Sequence, residues 1–383
     1  MRRLRIAIAT VGRYHVLDLA RELSVLGHDV AFWTIVPRRM AVRFGLPPAA
    51  HRGLLPALFP LVAVQRYGGC AIHRMVTPIL LSAIDSLIAR KLEPCDVFIG
   101  MSGLCIKSAV VAKQRFEAKV FIERGSRHIL SQKEILDAIA SPSGRRDTVP
   151  AYAVRRELAS YDAADVIVVP SKHVVQSFLE RGVPESKLFR NPYGVDLSMF
   201  PVTPAPPSDP PTVLCVGAWS LRKGCDVLTE AWRMMNGVRL LHVGPLGDAP
   251  LPQDSGFEHH DPVPQWRLRE FYAQAHVFVL ASREDGFGLV LSQALACGLP
   301  VVCTDRTGGE DLREFLDDPS WVTVVPVENP GALADGIRRA LDLALGQPGV
   351  RNILGDGREK PSWRAYGARY DRFIRAQLRV ATP

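Results

Sequence analysis

Short apolar runs rich in β-branched residues alternate along the chain with longer stretches in which apolar and polar residues recur at helical spacing. Each half opens in the same way, with an apolar run, a glycine and then an amphipathic stretch. A fully apolar run of about four to eight residues is typical of a buried strand, and a period near 3.6 indicates a helix. Strands that alternate with helices predict parallel sheets and an α/β fold.

The predicted buried strands fall into two groups. They are LRIAIAT, DVFIGM, KVFIER and DVIVVPS in the first half, and TVLCVG, VRLLHVG, HVFVLAS and PVVCT in the second. Residues 201–211, PVTPAPPSDPP, lie between the groups and predict a linker, because they are rich in proline and lack apolar periodicity. We therefore expect two doubly wound domains, residues 1–200 and 212–362. Open parallel sheets bind ligands beyond the carboxyl ends of their strands, so these ends should face a shared cleft.

Composition is that of a soluble globular protein, with 383 residues, 47% of them hydrophobic and 22% charged. The net charge of +8 favours an anionic partner, which could be a nucleic acid, a membrane surface or a phosphorylated small molecule. No run of lysines and arginines decides among these.

Cysteine usage and hydropathy indicate a reducing cytoplasm. The seven cysteines contain no CxxC pair, and the short apolar run after MRRLR predicts a first strand rather than a signal peptide. No segment reaches about 18 consecutive apolar residues. Leu54 to Val64 comes nearest to a membrane element, and an interfacial patch is one interpretation; a core or interdomain segment is favoured.

The stretch REDGFGLVLSQALACGLPVV, residues 283–302, carries the clearest candidate chemistry. Asp285 stands just before a predicted helix N-terminus, where backbone N–H groups and the helix dipole favour an anion. Gly286 and Gly288 allow a ligand to approach the backbone. Gln293 lies inside an apolar helix and needs a hydrogen-bond partner, which is either internal or a ligand hydroxyl.

This stretch resembles the Glu-x7-Glu signature of the retaining glycosyltransferases of family 4, with Asp285 and Gln293 in place of the two glutamates. Further segments resemble the same family in the same order, over nearly the whole chain. They are ADVIVVPSKHVVQSFLERGVPESKLFRNPYGVDLSMF, VGAWSLRKGCDVLTEAW, TDRTGGEDL and SWRAYGARYDRF. The resemblance implies a GT-B architecture, two Rossmann-like domains facing across a cleft, with residues 363–383 forming a helix that crosses back to the first domain.

The resemblance also implies roles for individual residues. Lys223 corresponds to the lysine that contacts the donor diphosphate, and Arg222 could replace the cation that is lost at Ala218. Asp285 is expected to contact a donor-sugar hydroxyl and Gln293 the ribose. The other donor-binding candidates are Gly12, Gly217, Val263, Gly286, Phe287, Gly288 and Leu289.

Two further catalytic candidates lie in FIERGSRHIL. Arg124 occupies the position of a family histidine near the donor sugar, and His128 follows four residues later. Glu123 and Arg124 could pair with each other, or one of them could hold an acceptor hydroxyl. His15, in the turn after the first strand, is either a helix-start residue or a ligand contact.

The expected activity is transfer of a sugar from a nucleotide diphosphate sugar to a sugar or lipid-linked acceptor, with retention. The resemblance implies no essential metal. Separately, His259, His260 and Asp261 look like a metal cluster, but adjacent residues rarely point at one ion. The family association with surface polysaccharide assembly implies a cytoplasmic location, possible peripheral contact with the inner face of the membrane, and no nucleic-acid partner. Alternatives are a nucleotide-sugar epimerase, a glycan phosphorylase, and a binding protein without turnover.

Overall fold

The computed structural model describes residues 2–143, 148–346, 349 and 351–380. It contains two parallel sheets, which confirms the predicted α/β fold. The first sheet has the order β3-β2-β1-β4-β5-β6-β7 and consists of β1 (Arg5–Ala9), β2 (Asp29–Thr34), β3 (His51–Gly53), β4 (Val97–Met101), β5 (Lys119–Glu123), β6 (Val166–Val169) and β7 (Leu188–Arg190). The second has the order β10-β9-β8-β11-β12-β13 and consists of β8 (Thr212–Val216), β9 (Arg239–Val243), β10 (Phe257–His260), β11 (Val277–Leu280), β12 (Val301–Thr304) and β13 (Val322–Val325).

Helices connect the strands and flank the sheets. Those of the first half are α1 (His15–Val25), α2 (Arg38–Arg43), α3 (Leu55–Tyr67), α4 (Gly69–Lys91), α5 (Lys107–Phe116), α6 (Ile129–Ala140), α7 (Ala151–Ala163) and α8 (Lys172–Leu179). Those of the second half are α9 (Cys225–Arg233), α10 (Leu268–Tyr272), α11 (Leu289–Ala296), α12 (Gly309–Arg313), α13 (Pro330–Leu345) and α14 (Trp363–Val380).

The central strands are buried along their whole length. Every residue of β6, β8, β11 and β12 is buried, which explains why these strands appear in the sequence as uninterrupted apolar runs. Six cysteines, Cys95, Cys105, Cys215, Cys225, Cys297 and Cys303, are free and buried, as expected for thiols that pack as small apolar groups. The side chain of Cys70 lies outside the described part.

Helix α14 packs on the first sheet, although it follows the second in sequence. Its Phe373 ring stacks on Phe189 of β7 with centroids 3.8 Å apart. Its Asp371 carboxylate lies 2.9 Å from His28 Nε2. The chain therefore crosses between the domains twice, and the two crossings touch where the Val195 amide donates to the Pro361 carbonyl at 2.8 Å.

The apolar segment Leu54 to Val64 packs on the core along one face only, through residues that include Leu54 and Leu58. It forms most of α3, where Leu58 is buried but Phe59 and Val64 are exposed. In the neighbouring α4, Ala71–Lys91 is long and apolar enough to cross a membrane by length and composition. Most buried positions of α4 lie in its second half, where the helix packs on the core of the first domain. Its length and apolar composition are therefore weak support for a membrane span.

Candidate active site

A cleft of about 1320 Å³ separates the carboxyl ends of the two sheets. Seven predicted site residues line it: Arg124, Gly217, Lys223, Asp285, Phe287, Gly288 and Leu289. Six others do not: Gly12, His128, Arg222, Val263, Gly286 and Gln293. The residues that follow Gly12 in its turn, from Arg13 to His15, do reach the cleft.

Lys223 and Asp285 form an ion pair on the second-domain wall of this cleft. Lys223 is placed there by Gly224, which has φ +65° and packs so closely on the Ala281 carbonyl that a Cβ would lie 2.0 Å from its oxygen. Burial raises the pKa of Asp285, but the Lys223 ammonium, together with Arg222 and the Phe287 amide, more than offsets burial, so the pKa is lowered. The pair therefore presents a charged cation and a charged carboxylate to a ligand.

The N-terminus of α11 opens onto the cleft directly after Asp285. Residues 287–290, which include the first turn of the helix, line the cleft. The remaining residues of α11 are buried, so the helix is fixed in the core of the second domain. Unpaired N–H groups at such an end stabilise negative charge, and the same cleft is lined by Lys223.

Gln293 lies within α11 and has an internal partner. Its side-chain oxygen accepts a hydrogen bond of 3.1 Å from the Tyr272 hydroxyl, and it is buried one turn behind Leu289. One of the two alternatives left open by the sequence is thus present. Contact with a ribose stays a prediction.

Arg222 does not line the cleft. Its guanidinium lies 2.9 Å from the Glu284 carboxylate, which also accepts from the Ser126 hydroxyl of the first domain. The phosphate contact predicted for Arg222 is therefore not supported by its position. Glu284 instead joins the two domains.

Gly286 brings the loops of the two domains into contact. A Cβ at this position would lie 1.8 Å from the Gly125 carbonyl oxygen, which only glycine permits. The Gly286 carbonyl accepts hydrogen bonds from Ser171 at 2.6 Å and from His173 at 3.2 Å, both on the first domain. This contact closes one side of the cleft.

His15 and Glu123, which the sequence singled out separately, form a buried pair with each other that the sequence did not predict. His15 begins α1 and lines the cleft, and its Nε2 lies 2.9 Å from the Glu123 carboxylate at the end of β5. Tyr193 covers the imidazole, with ring centroids 4.3 Å apart. Glu123 Oε1 and the Tyr193 hydroxyl are buried without a hydrogen-bond partner in the described part of the chain. In the neutral tautomer that donates Nε2–H to Glu123, Nδ1 of His15 is an acceptor.

Glu123 and Arg124 do not pair with each other, which was one of the two alternatives that the sequence left open. Arg124 Nη1 binds the Glu157 carboxylate at 2.8 Å, and its other nitrogens donate to the Arg127 carbonyl and to Gln132. Side chains that follow one another on a strand point to opposite faces, which separates Arg124 from Glu123. Arg124 lines the cleft but is fully engaged.

His128 caps a helix and does not line the cleft. Its Nδ1 accepts from the Leu130 amide at 3.3 Å, and its ring packs against Tyr161 and Phe178. Burial, helped by nearby arginines, lowers its pKa to about 4, so it is neutral at physiological pH. The position of His128 contradicts the catalytic role predicted for it. Among the described residues, no group of three or more His, Cys, Asp or Glu side chains could hold a metal ion.

Two facing parallel sheets, a cleft between their carboxyl ends and a helix that returns to the first domain define a GT-B fold. Residues 210–342 match the model of the family described as Glycosyl transferases group 1. The family resemblance inferred from the sequence is thereby confirmed.

The chain is similar to a D-inositol 3-phosphate glycosyltransferase of Xylanimonas cellulosilytica, with 31% identity over 233 residues, 53% of this chain and 54% of the relative. It thus matches about half the length of that relative. Its fold is similar to sucrose-phosphate synthase of Thermosynechococcus elongatus, with a TM-score of 0.65, 22% identity, and coverage of 99% and 100% of the two chains. HepE of Anabaena, solved with UDP-glucose, gives a TM-score of 0.61 at 14% identity, with coverage of 98% and 100%.

Proposed function

We propose that the protein transfers a sugar from a nucleotide diphosphate sugar to an acceptor hydroxyl, with retention at the anomeric carbon. The observation that carries this proposal is the Lys223–Asp285 pair beside the N-terminus of α11, on the cleft wall formed by the family-matched segment. The finer points, retention and a role in assembling surface polysaccharide or glycolipid, rest on the resemblance described above.

In the proposed reaction, charge builds up on the leaving diphosphate as the bond to the anomeric carbon breaks. Lys223 and the first-turn N–H groups of α11 stabilise that charge, and because they are fixed before the reaction they cost little reorganisation. Asp285 accepts a hydrogen bond from a donor-sugar hydroxyl and orients the ring. We propose that the protein needs no metal ion for this step.

The first-domain side of the cleft supports an anionic acceptor. Arg13 and Arg43 line it, and so does Arg364 of α14, and none of the three forms an ion pair with a described residue. The Arg13 guanidinium lies 3.6 Å over the Phe44 ring, which holds it in place. The relative from Xylanimonas is named for a phosphorylated acceptor, which agrees with a phosphate-bearing or diphosphate-linked acceptor here.

A donor screen followed by a transfer assay tests the proposal. One nucleotide sugar should raise the melting temperature, since a ligand at about 100 times its Kd stabilises the fold by about 2.7 kcal/mol. The same donor should then release nucleoside diphosphate only when an acceptor is added. Donor binding without transfer to any acceptor would instead support a binding protein without turnover.

Lys223→Ala tests the site itself. We expect kcat to fall by about 10²- to 10³-fold, because a preorganised cation is lost where charge develops. Lys113→Ala is the matched control, because it removes a lysine whose ion pair with Asp165, at 2.8 Å, lies outside the cleft. Equal turnover in the two variants would exclude Lys223 from the site.

A further inference from the structure

An apolar and basic helical hairpin projects from the first domain, formed by α3 and the first half of α4. Its exposed apolar side chains are large: Tyr67 is 80% exposed, Met75 72% and Phe59 62%. With Val64, Ile72 and Ile79 it holds six of the sixteen large apolar side chains that are exposed in the described residues. Scattered exposed apolar residues are ordinary, but such a concentration on one element indicates an interaction surface.

Charge on this part of the chain has one sign. Residues 30–84 contain six arginines and no aspartate or glutamate, whereas the chain as a whole has 39 acidic residues among 383. On the hairpin itself, Arg66 and Arg74 are exposed, and neither forms an ion pair with a described residue. The surface is therefore complementary to an anionic partner.

The hairpin is rigidly attached to the domain at its base. Leu80, Ile84 and Ile88 of α4 are buried in the core that also contains Phe98 of β4. From Ala71 to Met75, by contrast, every residue of α4 is exposed. The buried apolar residues of α4 thus begin at Leu80, after the exposed stretch Ala71 to Met75. Tyr67, at the tip of the hairpin, is not among the residues of the core.

We propose that this hairpin docks the protein on an anionic lipid bilayer by inserting its apolar tip into the interface. Aromatic and aliphatic side chains flanked by arginines are typical of elements that lie in the headgroup region. A full membrane span is excluded by the base of α4, because crossing would withdraw Leu80, Ile84 and Ile88 from the core. The hairpin therefore lies on the membrane rather than through it.

A second copy of the chain is a poorer occupant. A symmetric contact through this surface would bring two basic hairpins together, with no carboxylate on either hairpin to compensate Arg66 and Arg74. An anionic bilayer supplies that negative charge at any position. The charge of the hairpin therefore selects lipid over a homodimer.

Co-sedimentation with vesicles tests the proposal on the intact protein. Binding should be strong to vesicles of phosphatidylcholine mixed with phosphatidylglycerol, weak to pure phosphatidylcholine, and reduced by salt. Arg66→Gln/Arg74→Gln should weaken binding roughly 30-fold, about fivefold for each arginine. The control Arg115→Gln/Arg339→Gln removes two exposed arginines elsewhere that also have no ion pair with a described residue, and should bind like the wild type.

The apolar part is tested with Tyr67→Ser/Met75→Ser, against Val25→Ser/Leu246→Ser, which removes two exposed apolar side chains from other elements. The tip variant should lose vesicle binding by more than about tenfold and keep its melting temperature, because neither side chain is buried. Equal binding of tip and control variants would overturn the proposal. So would light scattering that shows a dimer dissociated by the tip variant, with no vesicle binding. No donor is present in these assays, so their outcome is independent of the proposed reaction.

Discussion

Glu123 and Arg124 are neighbours in sequence but serve different parts of the molecule. Glu123 fixes His15 at the cleft, and Arg124 ties the loop after β5 to Glu157 of α7. His15 and Glu123 are 108 positions apart in sequence, so no local sequence pattern predicts their contact. The alternation of side chains along a strand could have shown that Glu123 and Arg124 point apart, although not what each would meet.

Glu123→Gln should impair use of the acceptor. A glutamine amide can donate to Nε2, which favours the tautomer with its proton on Nδ1 and so removes an acceptor from His15, a residue that lines the cleft. We expect kcat/KM for the acceptor to fall about tenfold, the value of one lost hydrogen bond, with donor affinity unchanged. Initial rates with each substrate varied in turn measure this split.

Asp371→Asn is the matched control for Glu123→Gln. Asp371 contacts His28 at the same 2.9 Å, and neither of these residues lines the cleft. Asp371 also accepts from Arg375 Nε at 2.9 Å, so Asp371→Asn should lose at least as much stability as Glu123→Gln. A fall in kcat/KM of the same size in Asp371→Asn would show that the effect of Glu123→Gln comes from stability alone.

Gln293→Leu should weaken binding of the free nucleoside diphosphate, whereas Gln293→Glu should keep or strengthen it. A ribose diol requires a polar partner, and a carboxylate makes the stronger hydrogen bond. Leucine also removes an acceptor from the Tyr272 hydroxyl, which can still donate to the Val290 carbonyl at 3.3 Å, so a stability loss of about 1 kcal/mol or less is expected. Titration calorimetry measures the affinity of both variants for the nucleoside diphosphate. An unchanged affinity in Gln293→Leu would show that Gln293 has a structural role only.

At the scale of elements, the predictable strands are those buried on both faces. β4, β5, β8 and β12 appear as apolar runs because helices cover both of their sides. The edge strands β3, β7 and β10, with sequences HRG, LFR and FEHH, are half-exposed and have no such run. For α3 the sequence favoured burial, but part of the helix is exposed, including Phe59 and Val64. An almost continuously apolar segment does not show which of its faces is covered.

Helix capping by His128 makes stability depend on pH. The pKa of His128, His173 and His242 is lowered by burial to about 4, below the ordinary value of 6.5. Between these pH values the unfolded chain binds more protons, so stability falls as the pH drops from about 6.5 towards 4. His128→Asn keeps a capping acceptor but does not titrate, and should remove about 2 kcal/mol of the difference between pH 7 and pH 5.

Urea denaturation at the two pH values measures this difference. The exposed His73 provides the control His73→Asn, for which the pH dependence should match that of the wild type. If His128→Asn also retains the full pH dependence, protonation of other groups accounts for it.

At the scale of the whole molecule, the contact between Gly286 and Gly125 controls closure of the cleft. Gly286→Ala places a methyl group on the Gly125 carbonyl, so the loops must separate while each domain keeps its own core. We expect a larger radius of gyration in small-angle scattering and a loss of turnover of about 10²-fold, because donor and acceptor are no longer aligned.

Gly331→Ala, in the first turn of α13, is the control for this substitution. Its Cβ would meet only the Asn329 side chain, at 3.6 Å, and its φ is not in the left-handed region. An unchanged radius and rate in Gly286→Ala would show that the closed contact is not needed for turnover.

The return of α14 to the first domain also affects synthesis of the protein on the ribosome. All seven strands of the first sheet have been synthesised by residue 190, but the helix that buries Tyr366, Tyr370 and Ile374 against that domain begins only at Trp363. Domains usually fold in the order in which they emerge. The apolar face of the nascent first domain therefore stays uncovered while the whole second domain is translated. During this interval a chaperone would protect the first domain from aggregation.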